Sequence, residues 1–359
     1  MKIDSLHVSV ETLPLLKPFK TALRTAVDIE NIVVSVKLED GTEGLGAAAP
    51  TIAITGDSTD GMMMIIKEVI KPQLIGRDIE NINTLSKIIQ SSCVGNTSAK
   101  AAVEIALYDA VSKRWNLPLY QYLGGKTNAL KNDMTISVDE PDKIAKEVIS
   151  SMDSGFSTIK IKLGKDWKRD VERVCRIREA VGEKVVLRID ANQGWTTKQA
   201  IAIIQEFEQR KLNIDLVEQP VQAHDLDGLK EVKRSVNVPI MADESMFSPV
   251  DAMRLLHEQA VDLLNIKLMK TGGIRRALQI ADMAEAAGVE CMIGSMMESS
   301  VSVAAAAHLA TAHPNITRID LDAPLWIKDE PFEGIQYAID KIILGDQPGL
   351  GVKRKSSFV

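Results

Sequence analysis

The sequence is poor in aromatic residues and carries no excess of positive charge. Phe, Trp and Tyr make up only 4% of its 359 residues, which argues against the stacking surface that proteins use for single-stranded nucleic acid. The net charge of −6 at pH 7 disfavours contact with a phosphate backbone. We therefore expect no nucleic-acid partner.

Cysteine and histidine are also scarce. The three cysteines, Cys93, Cys175 and Cys291, form no CxxC pair, so neither a disulfide framework nor a thiolate zinc site is indicated. The five histidines form no HxH or HExxH pattern, which disfavours a metal site built from histidine. A reducing compartment fits this composition, and we expect a cytoplasmic protein.

Long apolar runs are absent. No stretch approaches the ~18 uninterrupted apolar residues of a membrane-spanning helix. The N-terminus carries Lys2, Asp4 and Glu11 inside its apolar pattern, so it lacks the apolar core of a signal peptide and is typical of a first strand. We expect no membrane partner, and a homo-oligomer is left open.

Hydrophobic residues make up 45% of the chain, enough for a large barrel-type domain with a smaller partner. Residues 1–125 mix both kinds of element. Apolar alternation predicts strands over 3–10 and 32–38, and helical spacing predicts helices over 58–71, 81–91 and 97–114. We therefore expect an α+β domain over residues 1–125.

After Lys131 the pattern becomes a β–α repeat. Eight β-rich runs begin 24 to 29 residues apart, with helical stretches between them. They are 133–138, 158–163, 185–190, 214–218, 238–243, 263–267, 289–293 and 316–320. So regular a period favours a closed parallel barrel over an open doubly wound sheet. We expect the barrel over 126–324, with segment 325–359 returning to the N-terminal domain.

Three acidic residues end adjacent predicted strands. Asp190, Glu218 and Asp243 lie at the carboxyl ends of strands three to five, where active sites of such barrels form. Converging carboxylates repel one another unless a cation neutralises them, and an all-oxygen set favours Mg²⁺. We expect one Mg²⁺ per subunit, and three separate salt bridges are the alternative.

Three lysines end other predicted strands of the same barrel. Lys160 and Lys162 are two residues apart on the second strand, so both point to one side. Lys267 ends the sixth strand, which lies opposite the second in a ring of eight. Lys162 and Lys267 would then face a metal-held substrate from two sides, as proton removal and return require. Desolvation and a nearby cation lower a lysine pKa toward that of a useful base. Lys160, deeper in the barrel, would stay charged and offset negative charge on the substrate.

Sequence motifs at these strand ends resemble the enolase superfamily, muconate-lactonizing subgroup. They are TIKIKLG, LRIDANQGW, LVEQP, IMADES and LNIKLMKTGGI, and EIALYDAVSKRWNLPLYQYLGG resembles the same family's capping-domain helix. Within the subgroup, PFKTALRTA, MTISV, GSMMESS and RIDLDAP resemble dipeptide epimerases of the L-Ala-D/L-Glu type. The resemblance implies an α/β fold, a modified (β/α)7β TIM barrel under an α+β cap, with an essential Mg²⁺.

The resemblance also implies roles for individual residues. Lys162 and Lys267 would be the acid/base pair at the α-carbon of a dipeptide's C-terminal residue, beside a metal-bound carboxylate. Asp320 and Asp322 would hold the dipeptide's ammonium, although capping of the strand end is an alternative for both. Arg24 would meet the glutamate side chain, a contact that suits its planar guanidinium, unless it is merely solvated.

The remaining candidates are supporting residues. Thr135 lies within MTISV, and Ser295 and Met297 at the end of strand seven would shape the substrate pocket. Asn192 and Glu244 would support the metal ligands or Lys267 from behind, with a simple surface ion pair as the alternative for Glu244. The Gly272-Gly273 pair is interpreted as a helix-entry turn, with an anion cradle as the alternative.

The leading hypothesis is a Mg²⁺-dependent isomerase, a dipeptide epimerase acting in cell-wall peptide recycling. An o-succinylbenzoate synthase, an N-acylamino acid racemase or a muconate cycloisomerase would share the metal and lysine layout. Such substrates lack the ammonium that Asp320 and Asp322 would bind. A catalytically silent binding protein on the same scaffold is the alternative of a different class.

Overall fold

The computed structural model describes residues 1–21, 25–164 and 166–358. An antiparallel sheet opens the chain in the order β1 (Ile3–Lys20), β2 (Thr25–Leu38) and β3 (Glu43–Ala48). The first two strands form a long hairpin, and their predicted cores at 3–10 and 32–38 pair directly, with Val8 opposite Val34.

Helices accompany this sheet. They are α1 (Thr59–Met64), α2 (Lys71–Leu74), α3 (Ile82–Ser91), α4 (Thr97–Arg114) and α5 (Leu119–Tyr122). The helix predicted over 58–71 is interrupted by a π-helical turn at Ile65–Ile70. Helix α4 packs against β2 and β3 and is buried along almost its whole length, so it forms the centre of the cap.

Strand β3 was not predicted, because its EGLGAA sequence lacks the branched residues typical of strands. The close packing of helix α4 against this strand explains its two glycines. A Cβ at Gly44 would lie 2.2 Å from the carbonyl oxygen of Ala106, and one at Gly46 2.0 Å from that of Ala102. Only residues without side chains let helix α4 approach the sheet this closely.

Eight parallel strands follow the cap. They are β5 (Met134–Ile136), β6 (Thr158–Lys162), β7 (Val186–Asp190), β8 (Ile214–Glu218), β9 (Ile240–Ala242), β10 (Leu263–Lys267), β11 (Glu290–Gly294) and β12 (Ile316–Asp320). They are hydrogen-bonded in sequence order from β5 to β12. Each of the eight predicted runs overlaps one strand, so the prediction of a parallel barrel is confirmed.

Helices follow the first seven of these strands. They are α6 (Pro141–Asp153), α7 (Trp167–Val181), α8 (Thr197–Gln209), α9 (Leu226–Ser235), α10 (Pro249–His257), α11 (Leu268–Thr271) with α12 (Ile274–Ala286), and α13 (Ser300–Ala312). A 3-10 turn, Ala323–Trp326, stands in place of a helix directly after β12. The (β/α)7β architecture is therefore confirmed. No helix in the described ranges is both long and apolar enough to cross a membrane.

Strands β5 and β12 meet without a ladder in the described part of the chain. The seam is joined instead by the Asp133 amide, which donates to the carbonyl of Ile319 at 3.4 Å, and by the Thr135 amide, which donates to Asp322 Oδ2 at 2.7 Å. An apolar layer of Leu216, Met241, Leu263 and Met292 fills the barrel. Because side chains two residues apart share a face, Glu218 and Asp243 lie one layer above Leu216 and Met241.

The C-terminal segment touches both parts of the molecule. It contains β13 (Phe332–Glu333), β14 (Gln336–Ala338), β15 (Lys341–Ile343) and β16 (Lys353–Arg354). Strand β15 pairs with β4 (Ala129–Lys131), which lies outside the barrel, and Arg354 forms an ion pair with Glu11 of β1. The domain division at residue 125, with 325–359 joining the cap, stays a prediction.

Candidate active site

Three buried carboxylates meet at the carboxyl ends of adjacent strands. Asp190 ends β7, Glu218 ends β8 and Asp243 directly follows β9. One oxygen from each lies within 4.8 Å of the others, and all three residues are buried. Neutral groups contact two of these residues: the Asn265 side-chain amide donates to Glu218 Oε1 at 2.7 Å, and the Asp243 backbone amide donates to Gln219 Oε1 at 2.9 Å.

The donor set fits a hard divalent cation. Three carboxylates supply oxygen only, as Mg²⁺ prefers, and a site with few protein ligands leaves positions for water or substrate oxygen. Beside them, Asn192 Oδ1 and Glu244 Oε2 are buried and lack a hydrogen-bond partner among the described residues. Asp190, Glu218 and Asp243 can therefore hold a metal ion, with further oxygen donors at hand.

Lysines contact this triad from opposite sides of the barrel. Lys162 ends β6, and its Nζ lies 2.6 Å from Asp190 Oδ2. Lys267 ends β10, which is four strands away from β6, and its Nζ lies 2.7 Å from Asp243 Oδ2. Both lysines line one small cavity at the mouth of the barrel. The two amines therefore approach the same space from two sides, with the carboxylates between them.

Lys160 lies beneath Lys162 and joins two groups of acids. Its ammonium is 2.5 Å from Glu218 Oε2 and 3.2 Å from Asp190 Oδ2. It is also 2.6 Å from Asp320 Oδ2. Burial alone lowers the pKa of Lys160, but Asp320 and Glu218 raise it well above its usual value. The neighbouring carboxylates, not burial, therefore keep Lys160 charged.

The pKa values of the three triad carboxylates are shifted in different directions. Burial raises the pKa of Asp190, but Lys162 and Lys160 outweigh burial and hold the pKa below its usual value. Burial also opposes ionisation of Asp243, where Lys267 and Lys270 bring the pKa well below the usual range. Burial and the neighbouring Asp190 raise the pKa of Glu218 to about 7. Two of the three carboxylates are thus firmly ionised.

The pKa of Lys267 is raised, whereas the sequence led us to expect a lowered pKa. Burial lowers this pKa, but Asp243 and Glu218 raise it above that of free lysine. The nearest protein charges are thus negative, and a divalent cation on those carboxylates would oppose their effect. The proton affinity of Lys267 is therefore tied to the charge of the triad.

The predicted ammonium site borders the same cavity as Lys162 and Lys267. Asp320 and Asp322 are both buried and both line the cavity. Thr135 Oγ1 is 3.3 Å from an oxygen of each, so Thr135 lies between them. Burial and the charge of Asp320 raise the pKa of Asp322 to about 6. The structure thus brings these three predicted residues together.

The other predicted residues lie around the cavity. Ser295, Met297 and Asn192 line it. Glu244 Oε1 accepts from the Asn192 side-chain amide at 3.3 Å, so Glu244 contacts the site through Asn192. Arg24 lies outside the described residues.

Other contributors were missed by sequence reasoning. Lys270 is fully buried, with its ammonium 2.5 Å from Asp243 Oδ1 and 3.1 Å from the carbonyl of Asn265. The sequence feature that could have identified Lys270 is its position three residues after Lys267, within an apolar run. Phe19 and Ile54 bring cap residues into the cavity wall, and no local pattern marks them, because their partners come from distant elements.

A cap formed by an antiparallel sheet and helices, together with a β/α barrel bearing acids and lysines on its strand ends, defines an enolase-like class. Residues 5–124 match the N-terminal domain of mandelate racemase and muconate lactonizing enzyme. Residues 143–357 match the enolase C-terminal domain-like family. The chain belongs to the mandelate racemase/muconate lactonizing enzyme family of the enolase superfamily, which confirms the predicted family.

Individual relatives resemble the chain over almost its whole length. An L-Ala-D/L-Glu epimerase from Clostridium acetobutylicum is 49% identical, covering 97% of this chain and 96% of that protein. The substrate-liganded L-Ala-D/L-Glu epimerase from Bacillus subtilis superposes with a TM-score of 0.97 at 47% identity, covering 98% and 99% of the two chains. A dipeptide epimerase from Enterococcus faecalis, complexed with Mg and L-Leu-L-Tyr, gives 0.95 at 41% identity, covering 99% and 100%.

Proposed function

We propose that this chain is a Mg²⁺-dependent dipeptide epimerase, an isomerase that inverts the α-carbon of the dipeptide's C-terminal residue. The observation that carries the proposal is the placement of Lys162 and Lys267 on opposite strands, each within 2.7 Å of a carboxylate of the central triad. The relatives named as dipeptide epimerases support the same reaction.

The two lysines divide the proton transfer. One lysine, as a neutral amine, accepts the α-proton on its side of the substrate. The other, as an ammonium, donates a proton to the opposite side, so the configuration inverts without a net change in substrate protons. Lys160 offsets the negative charge that develops on the substrate. A Mg²⁺ held by Asp190, Glu218 and Asp243 would act as a Lewis acid on the terminal carboxylate.

The remaining residues set the substrate class. Asp320 and Asp322 hold the free ammonium of the first residue, since paired carboxylates complement one buried cation. The resemblance to dipeptide epimerases assigns Arg24, which lies outside the described residues, to the side chain of a C-terminal glutamate, which favours L-Ala-L/D-Glu. Thr135, Ser295 and Met297 shape the cavity, and Asn192 and Glu244 support the metal ligands.

The setting of the reaction is part of the proposal. An epimerase of alanine–glutamate dipeptides would act in recycling of cell-wall peptides, in the cytoplasm. The scarcity of cysteine and the dipeptide specificity of the named relatives support this setting.

Hydrogen exchange in deuterated water tests the reaction directly. With Mg²⁺ present, L-Ala-L-Glu should take up one deuterium at the glutamate α-carbon and convert to L-Ala-D-Glu, as followed by proton NMR and chiral chromatography. A dipeptide library in the same assay would define the second residue. Failure to exchange with every dipeptide tested would reject the proposal.

A double variant separates dipeptide turnover from the alternatives in the same family. Asp320→Asn with Asp322→Asn removes the negative charge that holds the ammonium and should abolish dipeptide epimerisation. Unchanged dipeptide turnover would instead favour a substrate without an ammonium, such as an N-acylamino acid.

A further inference from the structure

Trp326 closes the turn that follows the predicted ammonium site. It is the last residue of the 3-10 turn Ala323–Trp326 and is only 4% exposed. Its indole N–H donates to Asp322 Oδ2 at 3.3 Å. The same oxygen accepts from the Thr135 amide at 2.7 Å, so Asp322 is held from two directions.

The ring of Trp326 also contacts the capping hairpin. Phe19 of β1 packs edge-on against it, with ring centroids 5.1 Å apart and an interplanar angle of 84°. The ammonium of Lys17 lies 4.9 Å from the ring centroid and 2.8 Å from Glu147 on α6. Since Phe19 lines the substrate cavity, one side chain touches both a wall of the cavity and a carboxylate within it.

Backbone contacts fix this arrangement. Leu15 and Ile327 form an antiparallel bridge, and the Lys328 amide donates to the carbonyl of Pro14 at 2.9 Å. The turn and the hairpin therefore form one packed unit, and the Trp326 ring has little freedom to move away from Asp322.

We propose that Trp326 is a positioning residue, which aims the Asp322 carboxylate at the dipeptide ammonium and ties it to the Phe19 wall of the cavity. The inference rests on the proposed function, in which Asp320 and Asp322 bind that ammonium. Trp326 does not line the cavity itself, so its effect on a substrate acts through Asp322 and Phe19.

Asp320 and Asp322 are held by different kinds of group, and Trp326 is one of the groups that hold Asp322. Asp320 is held in place by the Lys160 ammonium at 2.6 Å, whereas no described cation lies within ion-pair distance of Asp322. Burial and Asp320 raise the pKa of Asp322 to about 6, and the N–H groups of Thr135 and Trp326 oppose that rise. The indole N–H thus favours the charged, oriented form that binds a cation.

The test compares two ligands that differ only in the ammonium. L-Ala-L-Glu and N-propionyl-L-glutamate are titrated calorimetrically into Mg²⁺-saturated protein. Trp326→Phe keeps an aromatic ring and removes the N–H. We expect it to bind the dipeptide about tenfold more weakly, the effect of about 1.4 kcal/mol from one hydrogen bond to a charged group, and N-propionyl-L-glutamate unchanged within about twofold.

Control variants separate positioning from general damage. Lys17→Met removes the cation above the ring but keeps the N–H, and should leave the ratio of the two affinities unchanged. If Trp326→Phe unfolds, replacement of Trp326 by benzothienylalanine, which has sulfur in place of N–H in a ring of the same shape, gives the same comparison. An equal loss for both ligands, or no loss for the dipeptide, would overturn the inference. If the wild-type protein binds the two ligands with equal affinity, the result would instead count against the proposed function.

Discussion

The carboxylate of Glu104, on the buried cap helix α4, lies against the backbone of Gly273 at the start of barrel helix α12. A Cβ at position 273 would lie 2.0 Å from Glu104 Oε2, and the same oxygen accepts from the Arg275 amide at 3.1 Å. Next to it, the Gln90 side chain donates to the carbonyl of Gly272 at 2.6 Å. Two cap side chains therefore hold the turn that follows the strand bearing Lys267.

Substitution of Gly273 should damage this contact between cap and barrel. Gly273→Ala places a methyl group against the carboxylate at a φ of +128°, so we expect the free energy of unfolding to fall by about 3 kcal/mol. Urea denaturation measures it. Gly288→Ala is the matched control, because its φ is +69° but nothing lies within 4 Å of its Cβ. A loss no larger than the control's ~1 kcal/mol would show that the close contact relaxes freely.

Glu104 should make stability fall as pH rises. Burial raises the pKa of Glu104 from 4.5 to about 7, so between these values the folded state binds a proton that the unfolded state releases. The resulting stabilisation is complete below pH 4.5 and is lost as pH rises through 7, by up to about 3 kcal/mol. Glu104→Gln should lack this loss, and the stability of wild type relative to it should decline from pH 5 to 8.

Denaturation of both proteins across that range, with the exposed Glu68→Gln as control, provides the measurement. Parallel stability curves for wild type and Glu104→Gln would contradict the expectation, because they would mean that Glu104 titrates alike in the folded and unfolded chain.

The barrel was predictable because its period is local and repeated. Each run such as 158–163 carries its own apolar alternation, and chain order gives strand order in such a fold. The residues Asp190 and Lys267 were predictable for the same reason, since a charged residue at the end of an apolar strand stands out in the sequence alone.

Contacts between distant segments were not predictable. Gly272-Gly273 was interpreted as a helix-entry turn and does precede α12, but the carboxylate that rests on it comes from Glu104, about 170 residues earlier. Likewise, EGLGAA gives no strand signal, because its glycines are required by the approach of helix α4. Such requirements arise only once the elements pack together.

Removal of either flanking lysine should separate exchange from epimerisation. Lys162→Ala and Lys267→Ala each remove one of the two amines, so epimerisation should fall by at least about 10³-fold. Each variant should still exchange the α-proton of one configuration, and the two variants should prefer opposite configurations. Proton NMR in deuterated water with L-Ala-L-Glu and L-Ala-D-Glu distinguishes the pattern. The same configuration preferred by both variants would place the lysines on one side of the substrate.

The carboxylate triad should govern metal affinity independently of catalysis. Asp190→Asn, Glu218→Gln and Asp243→Asn each remove one anionic oxygen donor, and each should weaken Mg²⁺ binding by at least about tenfold in calorimetric titration. Glu179→Gln, an exposed carboxylate on α7, is the control and should bind Mg²⁺ as wild type does. Chelation of Mg²⁺ should abolish exchange in wild type. Wild-type affinity in all three variants would rule out this cluster as the metal site.

His308 should make the protein sensitive to acid. Its Nδ1 accepts from the Tyr120 amide at 3.0 Å, so its proton lies on Nε2, which donates to the carbonyl of Leu350 at 3.1 Å. The neutral ring thus joins α13, α5 and the C-terminal segment. Burial lowers the pKa of His308 from 6.5 to about 4, and in this interval the unfolded state binds the extra proton. The stabilisation is complete above pH 6.5 and is lost as pH falls to 4, by up to about 3 kcal/mol.

His308→Gln should be less stable than wild type at pH 7, because glutamine cannot fill the space of the ring stacked on Tyr120 with centroids 5.6 Å apart. The difference should shrink as pH falls from 7 to 5, since only wild type loses the contribution of a neutral histidine. Urea denaturation at the two pH values measures this, and His257→Gln, an exposed position on α10, should change little at either. A difference that is constant with pH would mean that His308 accepts its proton in the folded protein as readily as in the unfolded chain, and the acid sensitivity would then have to come from other groups.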